Sequence, residues 1–227
     1  PPPAARRLAR RWRLRVVPEG YQSKIDAVLA TLPVHAASER LPTHLGSLDL
    51  LGPTTVVSPT PADLAESHRR REAGLVAGRP TMLVNVPTVV DPDMAPDGKH
   101  VLSLEVLFTP YSLRGGWAAS AEPARWIEMW AELVTPTTGA VISDWRAMTP
   151  DRYEREFAMH RGHTPAYAGS PLASLVGRRR EVSRYRTPIE GLYLTGAGTY
   201  PGAGVFGAAG RNTATIVMKD IRAGERR

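Results

Sequence analysis

Apolar and polar positions alternate one by one around residue 25, where Ile25, Ala27 and Leu29 are separated by Lys24, Asp26 and Val28. A period of two predicts a strand over Ser23–Ala30, ended by Leu32-Pro33. From Pro33 to Pro59 no period holds, and the prolines and histidines there predict an irregular excursion of the kind that covers a binding cavity. Thr60-Pro61-Ala62-Asp63 has a capping threonine, a proline at the first helical position and an acid at the third. That order starts a helix, which Gly74 stops and whose polar run His68–Glu72 faces solvent. Thr81–Val86 reads as a buried strand. Val101–Thr109 alternates, with Leu102, Leu104, Val106 and Phe108 on one side and Ser103, Glu105 and Thr109 on the other. Turn residues in Pro87–His100 make these two strands sheet neighbours. Trp126, Met129, Trp130 and Leu133 fall at helical spacing in Glu122–Val134, an apolar stripe that packs on the sheet. Thr149-Pro150-Asp151 opens a second capped helix to about Met159, and His160–Arg180 is loop-like. Gly191–Thr195 reads as a short strand running into glycines, and Ala208–Ile221 as a closing helix.

These elements lack the regular β-α alternation of a doubly wound domain. They predict a mixed α+β fold: a mixed or antiparallel sheet with covering helices, then a C-terminal strand, glycine loop and helix. The boundaries expected are an irregular or processed tail over 1–19, a sheet-bearing domain over 20–184 and a C-terminal segment over 185–227.

The chain has 227 residues, 42% hydrophobic and 22% charged, enough for one large domain or two unequal ones. It has no cysteine, which excludes disulfides, dithiol redox centres, iron–sulfur clusters and thiolate zinc sites. Redox chemistry must therefore use a bound cofactor. The net charge of +7 is dispersed over Arg6–Arg15, Arg69–Arg71, Arg178–Arg180 and Arg226–Arg227, with three phenylalanines in all, so neither a basic stripe nor an aromatic ladder marks a nucleic-acid partner. Apolar runs are far shorter than the roughly 20 residues that span a bilayer. Pro1–Val17, arginine-rich and without an acid, fits a processed or irregular tail, and also a transit peptide or membrane-surface segment. The first residue is not methionine, which supports processing or truncation.

The densest chemical signal is Gly191-Leu-Tyr-Leu-Thr-Gly-Ala-Gly-Thr-Tyr-Pro-Gly-Ala-Gly-Val-Phe-Gly207, followed by the predicted helix. Glycines let backbone approach a ligand, and a new helix presents unpaired N–H groups with partial positive charge. Gly202-Ala-Gly204-Val-Phe-Gly207 matches G-x-G-x-x-G. As a free-standing dinucleotide fingerprint it fails on context, since the strand ends at Thr195 and no second strand with an acid comes after it.

The run Tyr185–Val205 resembles the C-terminal flavin segment of phytoene-desaturase-like oxidoreductases. Further matching stretches occur in the same order: Ser23-Lys24-Ile25, Gly78-Arg79-Pro80, Val86-Pro87-Thr88, Met94 to His100, and Thr149-Pro150 to Glu156-Phe157. The pattern is that of the branch containing the pyridine-nucleotide-disulphide-oxidoreductase-domain proteins, from about Gly20 to Ala223. The resemblance implies FAD, held in two discontinuous pieces of a Rossmann-like domain. Gly196, Ala197 and Gly198 would offer backbone to its ribityl and diphosphate portion. Gly202, Ala203, Gly204 and Val205 would lie along the isoalloxazine edge, with a helix beginning near Val205. The sheet domain would bind substrate and roof the flavin. Tyr200 stands where the family commonly has histidine, and Ala203, Phe206 and Ala209 vary its usual run. The family's N-terminal strand–GxGxxG–helix is not in this sequence, so the chain alone is expected to bind FAD weakly or not at all.

The expected function is the C-terminal portion of an FAD-dependent dehydrogenase or desaturase that takes hydride from a hydrophobic substrate. The alternative is a non-catalytic truncated relative or subunit used for binding or assembly. Such hydride transfer needs no acid or base, so side-chain candidates are few. They are Tyr200 beside the flavin, against a turn tyrosine, and His163 and Tyr167 toward substrate, against an ordinary loop. Glu156, His160 and His163 at i, i+4 and i+7 would share a helical face, but Gly162 and Pro165 are expected to break that helix before a metal site forms. His100 reads as a turn residue capping a strand, and Arg211-Asn212 as cofactor contacts or first-turn caps. Expected partners are a complementary chain with the N-terminal FAD-binding half, or a second copy, together with a hydrophobic small molecule and a peripheral membrane surface. The expected location is cytoplasmic or membrane-associated, with organellar targeting left open.

Overall fold

A computed structural model describes residues 3–14, 19–40, 50–52, 54–135, 141–163, 180–204 and 206–224. By packing the chain divides into two units, Pro18–His163 and Pro1–Val17 with Thr164–Arg227. In this division the N-terminal segment groups with the C-terminal one.

The strands of the first unit are β1 (Gln22–Leu29), β2 (Val34–His35), β3 (Thr55–Val57), β4 (Met82–Asn85), β5 (His100–Leu107), β6 (Val134–Thr135) and β7 (Ile142–Met148). Five form an antiparallel sheet in the order β3-β4-β5-β1-β7, and β2 pairs with β6 apart from it. In β1 the expected alternation becomes the burial pattern, with Ser23, Ile25, Ala27 and Leu29 inward. Ile25 stands opposite Leu104 on β5 and Ala147 on β7. One sheet face, bearing Ile25, Leu29, Met82, Val84, Leu102, Leu104 and Val106, forms a single core cluster with Trp126 and Trp130.

Both indoles belong to the helix Glu122–Ala131, whose apolar stripe is the one expected. On the opposite face Lys24 and Leu83 flank Glu105. Burial pushes the Glu105 carboxyl above its ordinary range, and the Lys24 ammonium opposes that shift.

The helix Pro61–Glu72 begins as predicted. Thr60 Oγ1 accepts from the Asp63 N–H at 3.2 Å and Asp63 Oδ2 accepts from the Thr60 N–H at 3.2 Å, a complete capping box. Ser67 is its one buried residue, and Gly74, at φ 72°, comes after the last turn. The helix Pro150–Phe157 is also where the sequence puts it, although Thr149 Oγ1 bonds to Asp151 Oδ1 at 2.5 Å instead of capping backbone.

Three expectations for this unit are corrected, and the break expected after Glu156 is present. The stretch Pro33–Pro59 is not wholly irregular, since it holds β2, a 3₁₀ turn at Ser38–Arg40 and edge strand β3. Strand β7, between two predicted helices, carries no clean alternation and is absent from the predicted elements. Phe108 leaves the pattern of β5 because its φ of 61° turns the backbone, and its ring meets His68 at 4.5 Å between centroids. The helix carrying Glu156 ends at Ala158, φ 53°, before Gly162, so Glu156, His160 and His163 share no helical face. Among the described residues no group of three His, Cys, Asp or Glu is placed to hold a metal ion.

In the second unit Pro3–Arg13 is a helix, α1, not an irregular tail. In chain order the helices of the sheet unit among the described residues are α2 (Pro61–Glu72), α3 (Glu122–Ala131) and α4 (Pro150–Phe157), and the C-terminal segment adds α5 (Arg180–Ser183) and α6 (Ala208–Gly224). No helix among the described residues is long and apolar enough to cross a membrane.

Leu104 is fully buried at the centre of the sheet, while Val56 on β3 is 55% exposed. Leu104→Ala is therefore expected to cost about 2–5 kcal/mol in urea unfolding, and Val56→Ala less than about 0.5 kcal/mol.

Candidate functional site

The glycine segment is held by polar bonds, not by a sheet. Pro188 and Gly191 turn the chain, Thr187 Oγ1 donates to the Leu192 carbonyl at 2.9 Å and accepts from the Ile189 N–H at 3.1 Å, and a single antiparallel bridge joins Arg186 to Tyr193. The strand expected at Gly191–Thr195 is thus reduced to one bridge, because no further strand pairs with it among the described residues.

Tyr185 organises the loop from its N-terminal side. Its backbone sits at φ 67°, a conformation disfavoured for a side chain of this size. Three bonds hold it: its carbonyl accepts from Leu194 N–H at 2.8 Å, its hydroxyl donates to the Tyr200 carbonyl at 2.7 Å, and Asn212 Nδ2 on α6 donates to that hydroxyl at 2.9 Å. A second clasp ties the segment to α6 further along. Arg186 donates to both Asp220 oxygens at 2.7 and 2.6 Å, and the Tyr193 hydroxyl donates to Asp220 at 2.9 Å. The Arg186 hydrogen bond, aided by Tyr193, lowers the Asp220 pKa to about 2.

Between these clasps runs the loop itself. Gly196 to Thr199 is a tight turn closed by Thr199 N–H and Oγ1 on the Gly196 carbonyl at 3.0 and 2.9 Å. Gly196 has φ 88°, accessible to glycine at little cost. Tyr200 N–H donates to Val182 on α5, and Gly202 N–H to Thr199. Among the described residues the N–H groups of Ala197, Gly198, Ala203 and Gly204 have no protein acceptor. Helix α6 begins at Ala208, where the residue pattern puts it and three residues after the start the resemblance implies, because Gly207 at φ 62° cannot belong to it. Among the described residues a Cβ added at Gly196, Gly207 or Gly210 would meet nothing within 4 Å, so packing does not require these three glycines, whereas a Cβ at Gly204 would run into the Phe206 ring.

The arrangement is a concentration of donors without acceptors among the described residues, ahead of a helix N-terminus, with open space at Gly196 and Gly207. It fits a ligand with polar or anionic acceptors that approaches backbone closely, as a dinucleotide does.

Comparison with known proteins gives the kinship. No family model matches the chain. It is 34% identical over 166 residues to the rat protein named pyridine nucleotide-disulfide oxidoreductase domain-containing protein 2, a match covering 70% of this chain and 28% of that one. It is 29% identical over 149 residues to a lycopene-forming phytoene desaturase of Paracoccus, covering 62% and 28% respectively. With a limonene dehydrogenase component of Castellaniella defragrans it shares 31% identity over 148 residues, covering 61% and 27%. The chain belongs to the phytoene-desaturase-like oxidoreductase family. It spans little more than a quarter of the length of these relatives.

In this phytoene-desaturase-like chain, Gly196, Ala197, Gly198, Gly202, Ala203 and Gly204 fall together on one loop, and Tyr200, 41% exposed, lies among them. His163 is in the sheet unit, half-buried after the 3₁₀ turn His160–Gly162. Tyr167 and Val205 lie outside the described residues. His100 opens β5 with its ring 3.4 Å from Thr88 Oγ1, and Asn212 bonds Tyr185 rather than standing free for a ligand. Sequence reasoning does not single out Tyr185, Arg186 or Asp220. Only the proximity of Tyr185 and Arg186 to the glycine run hints at them.

A depressed carboxylate pKa stabilises above the ordinary range, near pH 4, and its contribution is lost as pH falls through about 2. Asp220→Asn is therefore expected to lower the melting temperature by a constant amount at neutral pH. The gap should close between about pH 4 and pH 2 in a thermal-unfolding series.

Proposed function

We propose that the chain is part of an FAD-dependent dehydrogenase or desaturase acting on a hydrophobic substrate. The observation that carries this reading is the row of unpartnered N–H groups at Ala197, Gly198, Ala203 and Gly204, leading into the start of α6. Backbone of Gly196 to Gly198 would bind the ribityl and diphosphate portion of FAD. Gly202 to Val205 would lie along the flavin edge, where the N-terminus of α6 favours negative charge. When bound, FAD supplies a two-electron acceptor for a hydride from one substrate carbon, while the neighbouring carbon loses a proton and a C=C bond forms. The chain's residues need only bind, orient and exclude water. Tyr200 is the side chain best placed in sequence to border the cofactor, with His163 and Tyr167 as substrate-side candidates. Phytoene and limonene, named for two relatives, are hydrocarbons, which supports an apolar substrate.

Helix α6 leaves Ala214, Met218 and Ile221 in solvent. A companion polypeptide carrying the dinucleotide-binding half, or a second copy of this chain, would bury that surface.

The test is flavin absorbance of the purified chain with FAD, alone and after co-expression with a companion bearing a GxGxxG half. Retained flavin in either sample supports the reading. Flavin in neither moves it to a non-catalytic binding protein. Ala197 occupies the second position of the Gly196–Thr199 turn, where proline fits. Ala197→Pro removes one donor without adding charge or bulk deep in the fold. It is expected to leave the melting temperature unchanged and to weaken FAD binding about tenfold.

A further inference from the structure

Helix α1 carries Arg6, Arg7, Arg10, Arg11 and Arg13 with no acid. Like charges at i and i+4, as in Arg6/Arg10 and Arg7/Arg11, destabilise a helix. What holds α1 is its other face. Ala5 is buried, Leu8 is half-buried, and Arg11 and Trp12 both donate to Glu181 of α5, at 2.5 and 3.1 Å. Glu181 is 6% exposed. Burial alone would raise its pKa, but its own N–H, Trp12 and Arg11 outweigh that and hold it ionised.

This anchoring places four arginines, Arg7, Arg11, Arg184 and Arg186, around a cavity of about 590 Å³ that contains one carboxylate, Glu181. Arg11 is engaged by Glu181 and Arg186 by Asp220. Arg7 and Arg184 are exposed and have no partner among the described residues. Two unengaged guanidinium forks converging on a cavity of small-molecule size match an anion that accepts several hydrogen bonds at once.

We propose that this cavity binds a phosphate-bearing ligand through Arg7 and Arg184. The phosphate comes from a free small molecule or from a lipid headgroup. Leu14, 75% exposed, and Trp12, 41% exposed, at the end of α1 are suited to the latter. The site uses none of the glycine loop and stands independently of the flavin reading.

The experiment uses the full chain in moderate salt. Calorimetric titration with inorganic pyrophosphate tests the free ligand, and co-sedimentation with phosphatidylcholine vesicles, with and without phosphatidic acid, tests the headgroup. Saturable pyrophosphate binding is expected to weaken at least about tenfold in Arg7→Ala/Arg184→Ala and to persist in Arg13→Ala, which does not line the cavity. Capture by phosphatidic-acid vesicles alone, lost in the same double variant, assigns the site to a lipid. Because neither guanidinium has a partner among the described residues, circular dichroism and melting temperature are expected to stay at wild-type values. Arg184→Glu on its own repeats the loss by charge reversal. Equal binding by wild type and double variant, or no binding of either probe, overturns the proposal.

Discussion

The sheet unit depends on β1 being paired along both edges while it buries every second side chain. Residues 24 to 28 exchange bonds with β5 on one side and β7 on the other, so a slip of one residue would turn Ile25, Ala27 and Leu29 outward and Lys24 and Asp26 inward. That penalty fixes the register of the central strand and, through it, of both neighbours. The indoles of Trp126 and Trp130 then have one flat apolar face to cover, and α3 can lie in one position over it. The ion pairs of Lys24 and Arg146 with Asp26 sit on the other face, partly solvated, and conform to this register instead of setting it.

The C-terminal unit is built on another principle. Its buried apolar residues in the described segments are few: Ala5, Val182, Tyr185 and Ala209. Order comes from directed bonds at two points of α6, Asn212 to Tyr185 and Asp220 to Arg186 and Tyr193. Each spans a long sequence separation at modest net gain, because hydrogen bonds exchange with water. Such bonds define position more sharply than they add stability, which suits a segment whose task is to hold backbone in a set conformation.

Legibility in the sequence divides along this contrast. Alternation in β1 and β5, the capping box at Thr60 and the indole stripe of α3 are local signals that tertiary context reinforces. Strand β7 is not legible because Ile-Ser-Asp-Trp-Arg-Ala-Met is an edge strand, exposed at Ser143, Asp144, Trp145 and Arg146, with a register shift opposite Val28 and Leu29. It is strand only because β1 offers it an edge. The reverse holds at Gly191–Thr195, whose composition is strand-like but which forms a single bridge, Arg186 to Tyr193, among the described residues. The glycine loop is recognisable from its residues, whereas the tyrosine and the ion pair that hold it emerge only from the fold, since no period links residue 185 to 212 or 186 to 220.

Glycine in and beside the loop then acquires a physical meaning that motif matching lacks. Gly210 lies inside a helix, where glycine costs up to about 1 kcal/mol relative to alanine, and no neighbouring element of the chain forbids a Cβ there. Gly196 is required by its own φ, but the space above it is equally open. Unneeded helical glycine, open space and several N–H groups without acceptors coincide within the loop and the first turn of α6. Each is a small cost to the chain alone, and a ligand whose acceptors approach the backbone would offset all of them together.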